Sequence, residues 1–158
     1  MSERGLRQGK NWQRDCSAWG RVMNIEDRIK QHEGLSLSVY NDTMGLKTIY
    51  YGHRVRQGEV YLGTIEDAEK YLKQDIATAK KDCYTLFPDW DFFTQNRQDA
   101  LADFLYQLGI NKARRFVHMV AAINTGRWND AAREMQDSAY FNQVPDRALE
   151  NIQLLTEG

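Results

Sequence analysis

Cysteine is scarce in this sequence. Cys16 and Cys83 alone cannot form a disulfide framework, and with no CxxC pair or Cys/His cluster they suggest no zinc site. His32, His53 and His118 lack the spacing of a metal set, so no metal or cofactor is expected. No apolar run approaches the ~18 residues of a membrane span, and no signal-peptide core follows the N-terminus, which argues against membrane insertion and ordinary secretion. An excess of positive charge is also missing. Twenty-one basic residues stand against 22 acidic ones, which argues against a dedicated nucleic-acid binder. What is present is ample core material: 42% apolar residues in a 158-residue chain, with 4 Trp, 8 Tyr and 6 Phe. That excludes disorder for most of the chain and predicts one globular domain of a reducing compartment.

Charge is unevenly placed. Residues 1–22 hold Arg4, Arg7, Lys10, Arg14 and Arg21 against Glu3 and Asp15, a net of +3, so the remainder carries −4. With no sustained apolar period, this segment reads as a loosely ordered basic arm. It is either a solvated tail, or an extension upstream of a start at Met23, or a device for holding an anionic surface.

From Asn24 the pattern is helical. Asn24 is an N-cap, Glu26 and Asp27 occupy the first turn, Ile25 and Ile29 share a face, and Gly34 stops the helix just after Glu33. Period-two alternation follows in Leu35, Leu37 and Val39 against Ser36, Ser38 and Tyr40, then turn chemistry at residues 41–45 and strand formers at Thr48–Tyr51. This predicts a β-hairpin, with a third strand near Glu59–Leu62. The rest reads as helix: one capped by Thr64 with Asp67 at the capping-box position, others around Ala100–Leu108, Phe116–Ile123 and Trp128–Met135, and a last one opened by Pro145. The expected fold is α+β and mainly helical, a hairpin lobe (about residues 35–62) beside a helical lobe (about residues 64–158).

Polar residues converge on the hairpin. Glu33, Asp42 and Thr48 follow the spacing Glu-x8-Asp-x5-Thr, closed by Gly52-His53. A helix end followed by a hairpin folds the chain back, so both carboxyl groups can face one cleft. Glycoside hydrolysis needs such a pair, one to donate a proton to the leaving oxygen and one ionised to activate water or stabilise positive charge. The negative end of a helix favours the protonated form of Glu33, while turn N–H groups favour a charged Asp42.

The string around these residues adds more. Glu33-Gly34, Tyr40, Asp42-Thr43, Gly45, Thr48-Ile49 and Gly52-His53 fit the pattern EG, YxDxxG, TIGxGH. In the same order come Asp67-Ala68-Glu69-Lys70, Gln74-Asp75, Tyr106-Gln107-Leu108-Gly109, Gly126-Arg127-Trp128-Asn129-Asp130-Ala131-Ala132 and Phe141-Asn142-Gln143-Val144-Pro145-Asp146-Arg147-Ala148. Over residues 23–158 the chain resembles the T-even phage lysozymes, a family of glycoside hydrolases, and the lobes are expected to flank an active-site cleft.

The resemblance implies a role for each matching residue. Glu33 is the general acid, Asp42 the base or electrostatic partner, Thr48 the residue that places the attacking water, and Arg147 the arginine reaching back to Glu33. His53 and Asp75 match an ion pair joining the lobes. Gly52, Tyr106 and Gln107 fall where the family lines its sugar cleft, as do Arg54, Met119 and Glu134, which differ in type. Tyr50 replaces the first glycine of TIGxGH and is expected either to narrow the cleft or to stack on a sugar face.

The implied function is that of an endolysin, a muramidase cleaving bacterial peptidoglycan. It would act as a monomer without a cofactor and wait in the host cytoplasm for a holin to open the membrane. A lytic transglycosylase is the alternative within the same chemistry. The alternative from another class is a catalytically silent, saccharide-binding or virion-structural lysozyme-like domain.

Overall fold

The computed structural model describes residues 23–158, so the basic arm lies outside the described residues. Helix α1 (Ile25–Glu33) starts where the Asn24 side chain accepts the Asp27 N–H at 2.9 Å, and it ends at Gly34, whose φ of 67° few other residues tolerate. Strands β1 (Ser36–Asn41), β2 (Lys47–Tyr50) and β3 (His53–Arg54) then form an antiparallel sheet in the order β1-β2-β3. Tyr40 pairs with Thr48, and an irregularity lies between this pair and Ser36–Tyr50. Strand β2 buries Thr48, Ile49 and Tyr50, whereas Leu37 and Val39 on the edge strand β1 stay 42% and 48% exposed.

The expected third strand at Glu59–Leu62 does not form. The third strand is His53–Arg54, and residues 55–64 are a loop held by side chains. Glu59 and Tyr61 turn toward His53, and Asp67 accepts the Leu62 N–H. Thr64 caps α2 (Ile65–Leu86) by accepting the Asp67 N–H. The Asp67 carboxylate spends its bonds on Leu62 and Tyr50 instead of completing the reciprocal box.

A 3-10 turn (Trp90–Phe92) leads to α3 (Gln95–Leu108), capped by Thr94 and ended by Gly109. Residues 100–105 of α3 are all buried, so this helix is the axis on which α2 and α8 pack. Around it follow α4 (Ile110–Ala113), α5 (Val117–Asn124), α6 (Trp128–Gln136), α7 (Ala139–Gln143) and α8 (Pro145–Glu157), with Pro145 in the first turn of α8. Cys83, a free thiol on the inner face of α2, has no exposed surface. No described helix is long and apolar enough to cross a membrane.

Candidate active site

Glu33 is the last residue of α1, half-buried where the helix gives way to the sheet. Two contacts hold it. Arg147 on α8 donates from Nη1 to Glu33 Oε1 at 2.7 Å, and Gly52 lies against the other oxygen. A Cβ added at Gly52 would stand 2.6 Å from Glu33 Oε2, so a side chain there must push the carboxyl aside, and the φ of 75° itself favours glycine.

Asp42 occupies the β1–β2 turn and organises it. Its Oδ1 accepts the N–H groups of Met44 at 2.9 Å and Leu46 at 2.8 Å, while Gly45 N–H donates to the Asp42 carbonyl. Among the described residues no donor occupies Oδ2. Thr48 is buried and donates its hydroxyl proton to the Leu46 carbonyl at 3.0 Å, so its oxygen is left as an acceptor.

Burial, then the charges of Glu33 and Asp42, hold the Tyr40 phenol above its ordinary value. Tyr40 is directly opposite Thr48 in the sheet, so the hairpin brings Asp42, Tyr40 and Thr48 beside the end of α1. Tyr40 was legible as part of YxDxxG, but its pairing with Thr48 was not.

Behind Glu33 lies a buried network that the sequence did not reveal. Arg147 donates from Nε to Asp103 at 3.0 and 3.2 Å and from Nη2 at 2.7 Å. Asn151 Nδ2 donates to Asp103 Oδ2 at 2.8 Å and to the Tyr140 hydroxyl at 3.1 Å. Arg28 Nη2 donates to Asn151 Oδ1 at 2.8 Å, and Glu150 lies between Arg28 and His32. The one signal for this network was Asp103 itself, a charge inside an otherwise apolar run of α3.

The other expected site residues divide. His53 Nδ1 lies 2.6 Å from Asp75 Oδ2, and its Nε2 lies 2.8 Å from Glu59 Oε2, a second carboxylate that was not anticipated. With a carboxylate on each nitrogen the ring is suited to the doubly protonated form. Burial alone would lower its pKa, but the bonds to Asp75 and then Glu59 raise it above 6.5. Tyr106 is half-buried and donates its hydroxyl to the Tyr51 carbonyl at 2.5 Å, tying α3 to the β2–β3 turn. Gln107 keeps a buried Oε1 that has no partner among the described residues. Arg54 and Glu134 are exposed, and neither forms a salt bridge among the described residues.

Two expectations are corrected. Tyr50 neither narrows the cleft nor offers a face to a sugar: it is 1% exposed, with its ring packed near Tyr61 and Tyr71. The cause is its backbone, which keeps the positive φ (59°) usual for glycine and directs the side chain into the core. Met119 is likewise 1% exposed, on the inner face of α5, and cannot touch substrate without rearrangement.

The fold and the family it matches are those of a lysozyme-like glycoside hydrolase. The phage lysozyme family model matches residues 30–151, and the chain belongs to that family. It is 33% identical over 110 residues to an endolysin of Acyrthosiphon pisum secondary endosymbiont phage 1, covering 67% of this chain and 70% of the relative. With the probable T4-type lysozyme 1 of Dictyostelium discoideum it shares 25% identity over 163 residues, 87% of this chain and 96% of that one. The pre-baseplate central spike protein Gp5 of Enterobacteria phage T4 is 26% identical over 161 residues, 86% of this chain. The chain spans 28% of the length of that spike protein.

Proposed function

We propose that the protein is a muramidase, hydrolysing the β-1,4 bond between N-acetylmuramic acid and N-acetylglucosamine in bacterial peptidoglycan. The observation that carries this reading is the placement of one carboxyl, Glu33, at the end of α1 against Arg147 and of another, Asp42, in the following hairpin turn with Oδ1 fixed by two backbone N–H groups.

In this reading Glu33 donates its proton to the glycosidic oxygen as the bond breaks and positive charge builds on the sugar ring. Asp42, its Oδ1 fixed by two backbone N–H groups, offers Oδ2 to a water molecule. Thr48, its own proton committed to Leu46, can only accept. A water donating to both Asp42 and Thr48 therefore turns a lone pair toward the sugar carbon. Arg147 holds one oxygen of Glu33 and Gly52 leaves room for the other, and Tyr106 and Gln107 contribute to the sugar-binding wall. The protein would act as a monomer in host-cell lysis, held in the host cytoplasm until a holin opens the membrane, as the likeness to an endolysin suggests.

A turbidity or zymogram assay on purified cell walls tests the reading. Glu33→Gln keeps the shape and removes the donatable proton, and it should lower lysis by ~10²–10⁴-fold without loss of fold. Near wild-type clearing by folded Glu33→Gln would overturn the assignment. The likeness to Gp5 favours a second reading, a lysozyme-like module with a structural task. Wall binding without any release of reducing sugar by the unaltered protein would select it.

A further inference from the structure

Two carboxylates share one guanidinium behind the site. Asp103 has no exposed surface and receives Arg147 through Nε and Nη2, whereas Glu33 receives it through Nη1 alone. This matters for a proton donor. A cation within ~4–6 Å of a carboxyl favours the charged form, typically by 1–3 pH units, and so works against holding a proton. Arg147 left to itself would oppose the role assigned to Glu33.

We propose that Asp103 is a positioning residue for the proton donor: it fixes Arg147 against Glu33 and offsets the guanidinium charge, so that Glu33 can hold a proton between turnovers. This rests on Glu33 being the general acid.

The surrounding groups fit the assignment. Burial would raise the Asp103 carboxyl, but the Arg147 charge and hydrogen bonds, with Arg28 and Asn151 behind them, hold it below the usual carboxylate range. It is therefore a lasting negative charge. For Arg147 burial acts downward, and Asp103 counts ahead of Glu33 among the groups that override it and keep the guanidinium charged. The other titratable or charged groups around the pair are Arg28 and His32 on α1, Tyr40 on β1, Asp42 in the turn, Asp99 and Tyr106 on α3, Tyr140 on α7 and Glu150 on α8. None of these takes a hydrogen bond from Arg147, so Asp103 is the direct counterweight among the described residues.

The test is the pH–rate profile of wall lysis for the unaltered chain, Asp103→Asn and Asp103→Glu. Asn keeps the size and removes the charge. Its alkaline limb should move to lower pH by ~1 unit or more, with a roughly tenfold loss on the limb and a smaller loss at the acid plateau. Asp103→Glu should leave the limb in place even if the rate falls. An unmoved limb in Asp103→Asn, or an equal loss at every pH, would overturn the proposal.

Should Asp103→Asn not fold, Arg147→Gln serves instead. With the cation gone Asp103 faces Glu33 unopposed, so the limb should rise by ~1 unit or more, and it should rise less in the double variant Arg147→Gln/Asp103→Asn, which removes both charges. Equal limbs in the single and double variants would overturn the proposal. Glu33→Gln in the same assay separates the two claims. If it lyses walls, the reading of Glu33 fails; if it is inactive and the Asp103→Asn limb is unmoved, only the role of Asp103 fails.

Discussion

Tyr50 donates its phenolic proton to Asp67 Oδ2 at 2.5 Å, joining β2 to the first turn of α2. Gly63 N–H donates to the same phenol at 3.0 Å and Leu62 N–H to the same carboxylate at 3.0 Å, so the loop between β3 and α2 is moored at one point. Tyr50→Phe removes the hydroxyl and strands both Gly63 N–H and one bond of Asp67. We expect Tm to fall by about 2–6 °C with the activity of the folded protein retained, as thermal unfolding and wall-lysis assays would show. Tyr50→Gly relieves the positive φ, yet it deletes a buried ring as well and should be less stable than Tyr50→Phe. If glycine proved the more stable, backbone strain would outweigh the mooring.

Gly52→Ala should strain the backbone at a φ of 75° and also disturb the chemistry. The new methyl would meet Glu33 Oε2 at 2.6 Å, so the carboxyl must move off its position against Arg147. A displacement near 1 Å at a reacting group can cost ~10²-fold, and a loss of that order is expected in kcat. A variant with unchanged kcat would show that Glu33 does not work from the position described.

Asp42→Asn should lower lysis nearly as much as Glu33→Gln if Asp42 must be ionised. Its turn should survive, because the amide oxygen can still accept from Met44 and Leu46. Retention of most activity would instead point to a mechanism that needs only the acid, as in a transglycosylase. Analysis of the released ends, reducing sugar against anhydro sugar, decides it.

The His53 cluster makes stability depend on pH in a defined direction. The folded pKa of His53 is raised, so the stabilisation is complete below its unfolded value of about 6.5 and is lost as pH rises through the folded value. Burial would raise the Glu59 carboxyl, but bonds from Tyr61 and His53 lower it; its contribution is present above its ordinary value of 4.5 and fades as pH falls through the folded value. Stabilisation by the cluster is thus greatest between roughly pH 4.5 and 6.5. Asp75→Asn should cost about 1.5–3 kcal/mol at pH 6, the range for a hydrogen bond to a charged group, and less at pH 9. Urea unfolding at both pH values checks this, and equal losses would show that His53 is not charged in the fold.

Local signals were well read in this sequence, and contacts between distant residues were not. Asn24, Gly34, Thr64, Gly109 and Pro145 each mark a helix boundary in the structure, because capping and backbone freedom act within a few residues. Asp103 and Arg147 are 44 residues apart, and nothing near either one signals the other. Glu59 and Tyr61 sit in a segment with strand-like composition, but His53 recruits their side chains and no ladder forms. Tyr50 was misread for a conformational reason. Its neighbours mark it as a cleft position, while a positive φ, invisible in composition, sends the ring the other way.

Cys83 carries a practical consequence. Its thiol is wholly enclosed, and burial pushes its pKa far above the ordinary range, so almost no thiolate is present to react while α2 is seated. The side chain is thereby a built-in clock. In a Cys16→Ser background, the rate at which a thiol reagent labels Cys83 counts the openings that release α2 from α3, including sub-global openings too rare for unfolding curves to register. A sugar oligomer that grips both the sheet and the helices should slow that clock, giving a measure of binding that needs neither turnover nor an optical change in the substrate.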